Sequence, residues 1–372
     1  MLNTAFRFVL CFLFFAFFIL QSCGGKNEPD LSEKEYRRFA EALDSALDAG
    51  NPNFLKTNSD LDELGEERAR KLKLRLADVK NFKQAFSEGM QAVFDTLAWR
   101  GKGGDFEYIR YEQKNGEHHA FLRLFYEQGG INYYDFILGS KNGKPVVRDI
   151  YVFIIGRTIG EAVGSDASSG MKRSDSVNTL KIFREQASTG NVPETILAYN
   201  TLPKKYREVK SVLLQYMSIC SGHDAEEYAA AAATFKKLYR DDAGYNLLMF
   251  DDCSKTGDYR KSIYYLDELD KIVKDPLLDY YRANLYSAMD STERSLELFR
   301  KVAENMPGLA RERSCRAILN THIYYSEYDK ALAVCKELVS RKFFTKQEVE
   351  ETLLEEQTLF LLLPDVVAWL GE

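Results

Sequence analysis

Cys23 is the residue whose setting points most directly to chemistry. It closes an N-terminal segment in which Phe8 to Leu20 form an uncharged run of 13 residues, followed by polar Gln21 and small Ser22. A run of that length suits the apolar core of an export signal and falls short of the roughly 20 apolar residues of a membrane-spanning helix. A thiol placed there meets the membrane surface, where alkylation to a thioether would make it an attachment point. The small Ser22 leaves the adjoining peptide bond open to a peptidase. With Cys11 inside the signal, four cysteines remain: Cys220, Cys253, Cys315 and Cys335. None forms a C-x-x-C pair or has a histidine at ligand spacing, so no zinc site is expected. The export compartment permits disulfides. All four fall at apolar positions of helical patterns, however, and are read as buried thiols.

Other groups are of the types that do acid–base work. Asp149 and Tyr151 share one face of a strand pattern, as do Tyr133 and Asp135. A carboxylate and a tyrosine facing one pocket can transfer protons. With no further motif beside them, Asp149 is read as the partner of a neighbouring base and the tyrosines as packing residues. His118 and His119 follow a turn directly and are expected to be solvated. The chain shows no Ser/His/Asp or Cys/His arrangement, phosphate loop or paired catalytic carboxylates. An enzyme is therefore not expected, nor any cofactor or metal.

Without Arg7, 49 Lys+Arg face 56 Asp+Glu, so the processed chain stands near −7. That mild acidity speaks against a nucleic-acid binder, which would carry a basic stripe. The run Arg68, Arg70, Lys71, Lys73, Arg75 is interleaved with leucines. It reads as a solvated helix face balanced by Glu66 and Glu67, or else as a contact with anionic headgroups near the anchor.

The Leu20-Gln21-Ser22-Cys23 ending resembles the lipobox of bacterial lipoproteins. That resemblance implies diacylglyceryl modification of Cys23 and cleavage before it. At about 0.8 kcal/mol per buried CH₂, two or three acyl chains anchor a protein stably. Gly24 stands where an aspartate would mark inner-membrane retention, so the outer membrane is the expected destination, on its periplasmic face or surface.

Behind a polar tether, Ser32 and Glu35 make a capping-box pattern ahead of a helical stripe, Tyr36, Phe39, Ala40, Leu43 and Leu47. Gly50 and Asn51-Pro52 end it. Helices are predicted over Leu61 to Leu76 and Val79 to Ala98. The period then changes. Runs at Phe106–Tyr111, His119–Tyr126, Ile131–Leu138 and Val146–Ile154 are divided by Asn115-Gly116, Gly129-Gly130 and Asn142-Gly143. This predicts a four-stranded antiparallel meander. Helices followed by a meander resemble the ketosteroid-isomerase-like or cystatin-like cone, which implies a pocket between helix and sheet. Gly164 to Gly170 is small and polar, and reads as a flexible linker.

Beyond it a motif recurs. Small residues Thr195, Ala231, Ser262, Ser295 and Ala331 are spaced by 36, 31, 33 and 36. Four residues after each come Tyr199, Phe235, Leu266, Phe299 and Cys335; seven after come Leu202, Leu238, Leu269, Val302 and Leu338. These offsets share one helix face. With Tyr228, Tyr259 and Tyr328 three residues ahead and Pro307 at the close of a unit, the pattern resembles the tetratricopeptide repeat. That family binds peptides or proteins along a concave surface of first helices. Carried to this chain, it implies Tyr280, Tyr281, Asn284, Asn320 and Tyr324 as groove residues. Phe343 to Glu356 reads as an acidic helix and Leu359 to Trp369 as an end-piece broken at Pro364.

The sequence thus predicts an α+β N-terminal domain followed by an all-α tetratricopeptide-like solenoid. The divisions are a signal (1–22), lipidated Cys23 with its tether (23–31), a cone-like domain (32–162), a linker (163–176), repeats (177–342) and capping helices (343–372). The expected function is a membrane-anchored envelope scaffold for an unidentified protein or peptide partner. The alternatives are ligand binding or catalysis in the cone, or nutrient uptake.

Overall fold

The computed structural model describes residues 31–127, 129–168, 175–239, 242–354 and 357–372. The signal segment and Cys23 lie outside the described residues. Four helices come first: α1 (Glu33–Asp48), α2 (Asn53–Thr57), α3 (Leu61–Lys71) and α4 (Leu76–Gly101). Ser32 caps α1 reciprocally with Glu35, whose carboxylate accepts the Ser32 amide at 2.8 Å. Lys73 adopts a left-handed φ of 54° between α3 and α4, which divides the apolar-basic run into two helices.

The strands are β1 (Gly104–Lys114), β2 (Glu117–Tyr126), β3 (Ile131–Lys141), β4 (Lys144–Val152) and a short β5 (Arg157–Thr158), antiparallel in that order. The expected meander is present with one further strand. Its tight turns follow from Asn-Gly chemistry: Asn115 and Gly116 take φ of 54° and 83°, Asn142 and Gly143 52° and 71°. Positive φ at both central residues matches the twist of a two-residue hairpin. Bulges at Ile109 and Arg148 bend the sheet.

The edge of β1 and the part of β4 beyond its pairing with β5 are both covered. Asp48 of α1 accepts the Phe106 amide of β1 at 2.7 Å, and Asp44 stands one turn earlier over the Tyr108 amide. On the opposite side, Val147 donates to the Asn58 carbonyl at 2.8 Å. Such capping removes the free edges that invite strand addition.

On one face of the sheet, α4 lays down Phe82, Phe86, Met90, Phe94 and Leu97. They meet Phe106, Leu122, Leu124, Tyr134, Phe136, Leu138 and Ile150, all at most 3% exposed. The space between α4 and the sheet is filled with side chains. The Asp149 carboxylate is paired with Arg68 at 2.6 Å and accepts the Gly160 amide at 2.8 Å. The Gly164 stretch does not begin as a loop: α5 (Ile159–Ala167) runs through it and packs on α4, with Val163 against Gly89. A bare helical glycine lets that neighbour come close, which is the physical reason the linker expectation fails there.

Five helix pairs follow: α6 (Asp175–Thr189) with α7 (Val192–Thr201); after the turn α8 (Lys204–Arg207), α9 (Lys210–Cys220) with α10 (Ala225–Leu238); α11 (Ala243–Lys255) with α12 (Tyr259–Val273); α13 (Leu278–Ala288) with α14 (Thr292–Asn305); and α15 (Gly308–Tyr324) with α16 (Tyr328–Ser340). The recurring small residues fall one in each second helix. Thr195, Ala231, Ser262, Ser295 and Ala331 are all buried, at no more than 4% exposed. Of the positions seven residues on, only Leu238 turns outward, at 43%. All four cysteines of this region are buried thiols, and burial pushes them up to about 11 for Cys220 and Cys253 and about 12 for Cys315 and Cys335.

The C-terminal end departs from expectation. Only α17 (Lys346–Glu348) is α-helical in the acidic stretch, and Val349–Leu353 widens into a π-type turn. The cause is packing, since Val349 and Leu354, five residues apart, are both fully buried in the end core. A five-residue hydrogen bond brings both to one side, with Leu354 donating to the Val349 carbonyl at 3.1 Å. The end-piece is broken at Pro364 as expected: α18 (Thr358–Leu361) ends before it, and Pro364 opens α19 (Pro364–Gly371), where a missing amide costs nothing.

Candidate functional site

The outer sheet face decides where an open site is left. Phe121, Phe125, Ile131, Tyr133 and Phe153 are buried against Leu247, Phe250, Leu266, Leu269, Leu277, Tyr281 and Ala310 of the helical pairs. β2 is therefore buried on both sides, and Arg123 within it is 2% exposed. Its guanidinium meets Asp275 at 2.5 Å and also Glu107, while the Tyr133 hydroxyl donates to Asp275 at 2.9 Å. Arg110 stacks on Phe121 at 4.0 Å and donates to the Ile272 carbonyl at 3.0 Å and to that of Val273, at the end of α12. Asp105 stands at the opening of α15, toward the Leu309 amide. Cations at a helix C-terminus and anions at an N-terminus complement the helix dipole. At Gly244, a Cβ would run into the Phe153 carbonyl oxygen, so α11 approaches the sheet end only as glycine.

The polar residues considered for proton transfer are all engaged. Besides Asp149, Tyr133 serves the contact just described, and Tyr151 accepts a hydrogen bond from Lys210 at 2.6 Å. Asp135 meets His119 at 2.9 Å, and that hydrogen bond raises the imidazole above its usual range. His118 lies 2.6 Å from the Tyr111 hydroxyl and stacks on Tyr36 at 4.1 Å. The expectation of solvated histidines is thus corrected for both, because the first residues of β2 already lie under neighbouring side chains. Arg68 likewise turns inward rather than joining a solvated face, while Lys71 pairs with Glu67 at 2.5 Å on the surface.

Where the α4 end and the β2–β3 turn diverge from α11 and α13, a cleft of about 1090 Å³ remains. One wall carries Trp99, Arg100, Lys102, Tyr126, Asn132 and Ile154; the other carries Leu247, Leu248, Asp251, Ser254, Tyr280, Tyr281, Asn284 and Leu285. Of the expected groove residues, the structure brings Tyr280, Tyr281 and Asn284 to this cleft. Tyr281 is also an inter-layer contact: its hydroxyl donates to the Gly129 carbonyl at 3.0 Å, and its ring meets Phe125. Asn284 is exposed and donates to the Tyr280 carbonyl at 2.7 Å. Asn320 and Tyr324 lie apart on α15. Asn320 accepts from Gln357 at 2.9 Å, and Tyr324 is 81% exposed beside Tyr325.

Sequence reasoning missed the facing wall. Trp99 is 72% exposed at the end of a helix whose other aromatics are buried. Its position off the Phe82, Phe86, Phe94 stripe was the available signal. Asn132 left no signal, since a lone asparagine in a strand has no sequence partner. No group of acidic, histidine or cysteine side chains suited to a metal ion occurs among the described residues. Likewise, no described helix is long and apolar enough to cross a membrane. In comparison with known proteins, the chain matches no family model and no curated protein.

Proposed function

We propose that this chain is a lipid-anchored envelope lipoprotein whose helical pairs form a tetratricopeptide-like solenoid and serve as a protein-binding scaffold. The anchor is Cys23, and the outer membrane, on its periplasmic face or surface, is the site of attachment. The cleft carries the reading: it is wide, open to solvent and lined by first helices of the repeats, whereas the cone interior is filled. Its size reaches the upper end of ligand pockets, roughly 300–1,000 Å³, which suits a segment of polypeptide. Burial of a small residue in every second helix supports the repeat reading, because close helix approach is what such residues permit.

Affinity capture of the native protein from detergent-solubilised envelopes tests the scaffold. A reproducible protein partner is expected, and consistent recovery of none would remove the proposal. Cys23→Ser tests the anchor: processing should stop or the protein should leave the membrane fraction. Unchanged maturation with full membrane retention would exclude the lipid.

A further inference from the structure

Asn132 offers a hydrogen-bond donor to the cleft. It is 2% exposed yet belongs to the cleft wall. Its Oδ1 accepts the amides of Tyr133 at 2.9 Å and Ile154 at 3.3 Å, which fixes the orientation of the side-chain amide. Its Nδ2 has no hydrogen-bond partner among the described residues. The donor opens on the cleft, where an acceptor from a bound molecule would take the place of solvent.

Two further groups on the same wall ask for the same chemistry. Arg100 and Lys102 line the cleft, and neither forms an ion pair with a carboxylate among the described residues. Arg100 stands beside the hydroxyls of Tyr126 and Tyr134, which leave its charge unneutralised. The carboxylate on the opposite wall, Asp251, is already paired with Lys255 at 2.6 Å. The net complement of the cleft is therefore acceptor-rich and anionic. Leu247, Leu248, Leu285 and Ile154 make part of the lining aliphatic, beside the aromatic Trp99, Tyr126, Tyr280 and Tyr281 and the polar Ser254 and Asn284. The aliphatic part offers no partner to ring hydroxyls and suits apolar side chains in the ligand.

We infer that the cleft binds an extended acidic peptide segment, with Asn132 Nδ2 donating to a main-chain carbonyl, Arg100 and Lys102 meeting carboxylates, and Trp99 packing on an apolar side chain. This inference rests on the scaffold reading and names the chemistry of the partner.

The probe is a capped hexapeptide alternating aspartate with phenylalanine, set against the same peptide with asparagine in place of aspartate. Calorimetric titration of the full chain in detergent should show the acidic peptide binding at least tenfold more tightly, with affinity falling as salt is raised. The emission of exposed Trp99 should shift on binding. Asn132→Asp keeps the Oδ1 acceptor but replaces the donor by a carboxylate oxygen, and should weaken binding at least tenfold while the melting temperature holds. Arg100→Gln with Lys102→Gln should abolish the preference for the acidic peptide. Equal affinity for the two peptides, no binding of either, or full affinity in Asn132→Asp would overturn the inference. So would binding of an acidic oligosaccharide, a polygalacturonate fragment, where both peptides fail. If envelope partners are captured equally by wild type and by these variants, the scaffold stands and the cleft assignment falls.

Discussion

Asp44 and Asp48 show how one pair of side chains serves both edge protection and pH response. They lie one helical turn apart on α1, and that rise, about 6 Å, matches the spacing of two residues along a strand, about 6.6 Å. Each can therefore meet an amide of β1. Burial, with Asp48 close by, pushes the Asp44 carboxyl up to about 7, and burial lifts Asp48 to about 6. A carboxyl raised above its unfolded value stabilises the fold below that value, and this contribution is lost as pH rises through the folded one. For Asp44 the loss spans pH 4 to 7. Asp44→Asn keeps an acceptor for the Tyr108 amide and removes the ionisation. Its melting temperature relative to wild type should climb steadily from pH 4 to pH 8. A difference independent of pH would show that Asp44 ionises in the fold without cost.

Among the elements, the second helix of each pair buries a small residue. Ala331 of α16 is fully buried in the end core with Leu319, Cys335, Phe360 and Trp369. Extra methylenes in a packed site cost about 1–3 kcal/mol. Ala331→Leu should lower the urea midpoint accordingly, whereas exposed Lys330→Ala should stay within about 0.5 kcal/mol. Similar losses in both variants would remove the close-approach explanation of the small residue. The pattern itself was readable because a helix repeats its face every three to four residues. The π-type turn at Val349 was not readable, since Val349, Leu353 and Leu354 in an acidic stretch fit an ordinary helix equally well.

For the whole molecule, the α+β layer and the helical pairs share one core. Phe121, Phe125, Ile131, Tyr133 and Phe153 are buried against the helices, and the Arg123–Asp275 contact crosses between the two layers. Taking one partner from a buried ion pair costs about 3–5 kcal/mol. A fragment of residues 31–168 expressed alone should expose that face, bind a hydrophobic dye strongly and aggregate. A monomeric fragment with a cooperative unfolding transition would contradict the shared core. This union also explains the location of the cleft, which is the space that the two layers leave between them.

The local elements were determined by the sequence. Asn-Gly pairs specify hairpins, Ser32 and Glu35 specify a helix start, and the spacing of Thr195 to Ala331 specifies recurrent helix pairs, because each rule acts over a few bonds. The filled space between α4 and the sheet, the partners of Asp149 and Tyr133, and the cleft between Trp99 and Asn284 were decided only by tertiary structure. Arg123 and Asp275 are 152 residues apart in the chain. No local pattern couples them, since their meeting depends on how a bent sheet and a stack of helices bury their remaining apolar faces together.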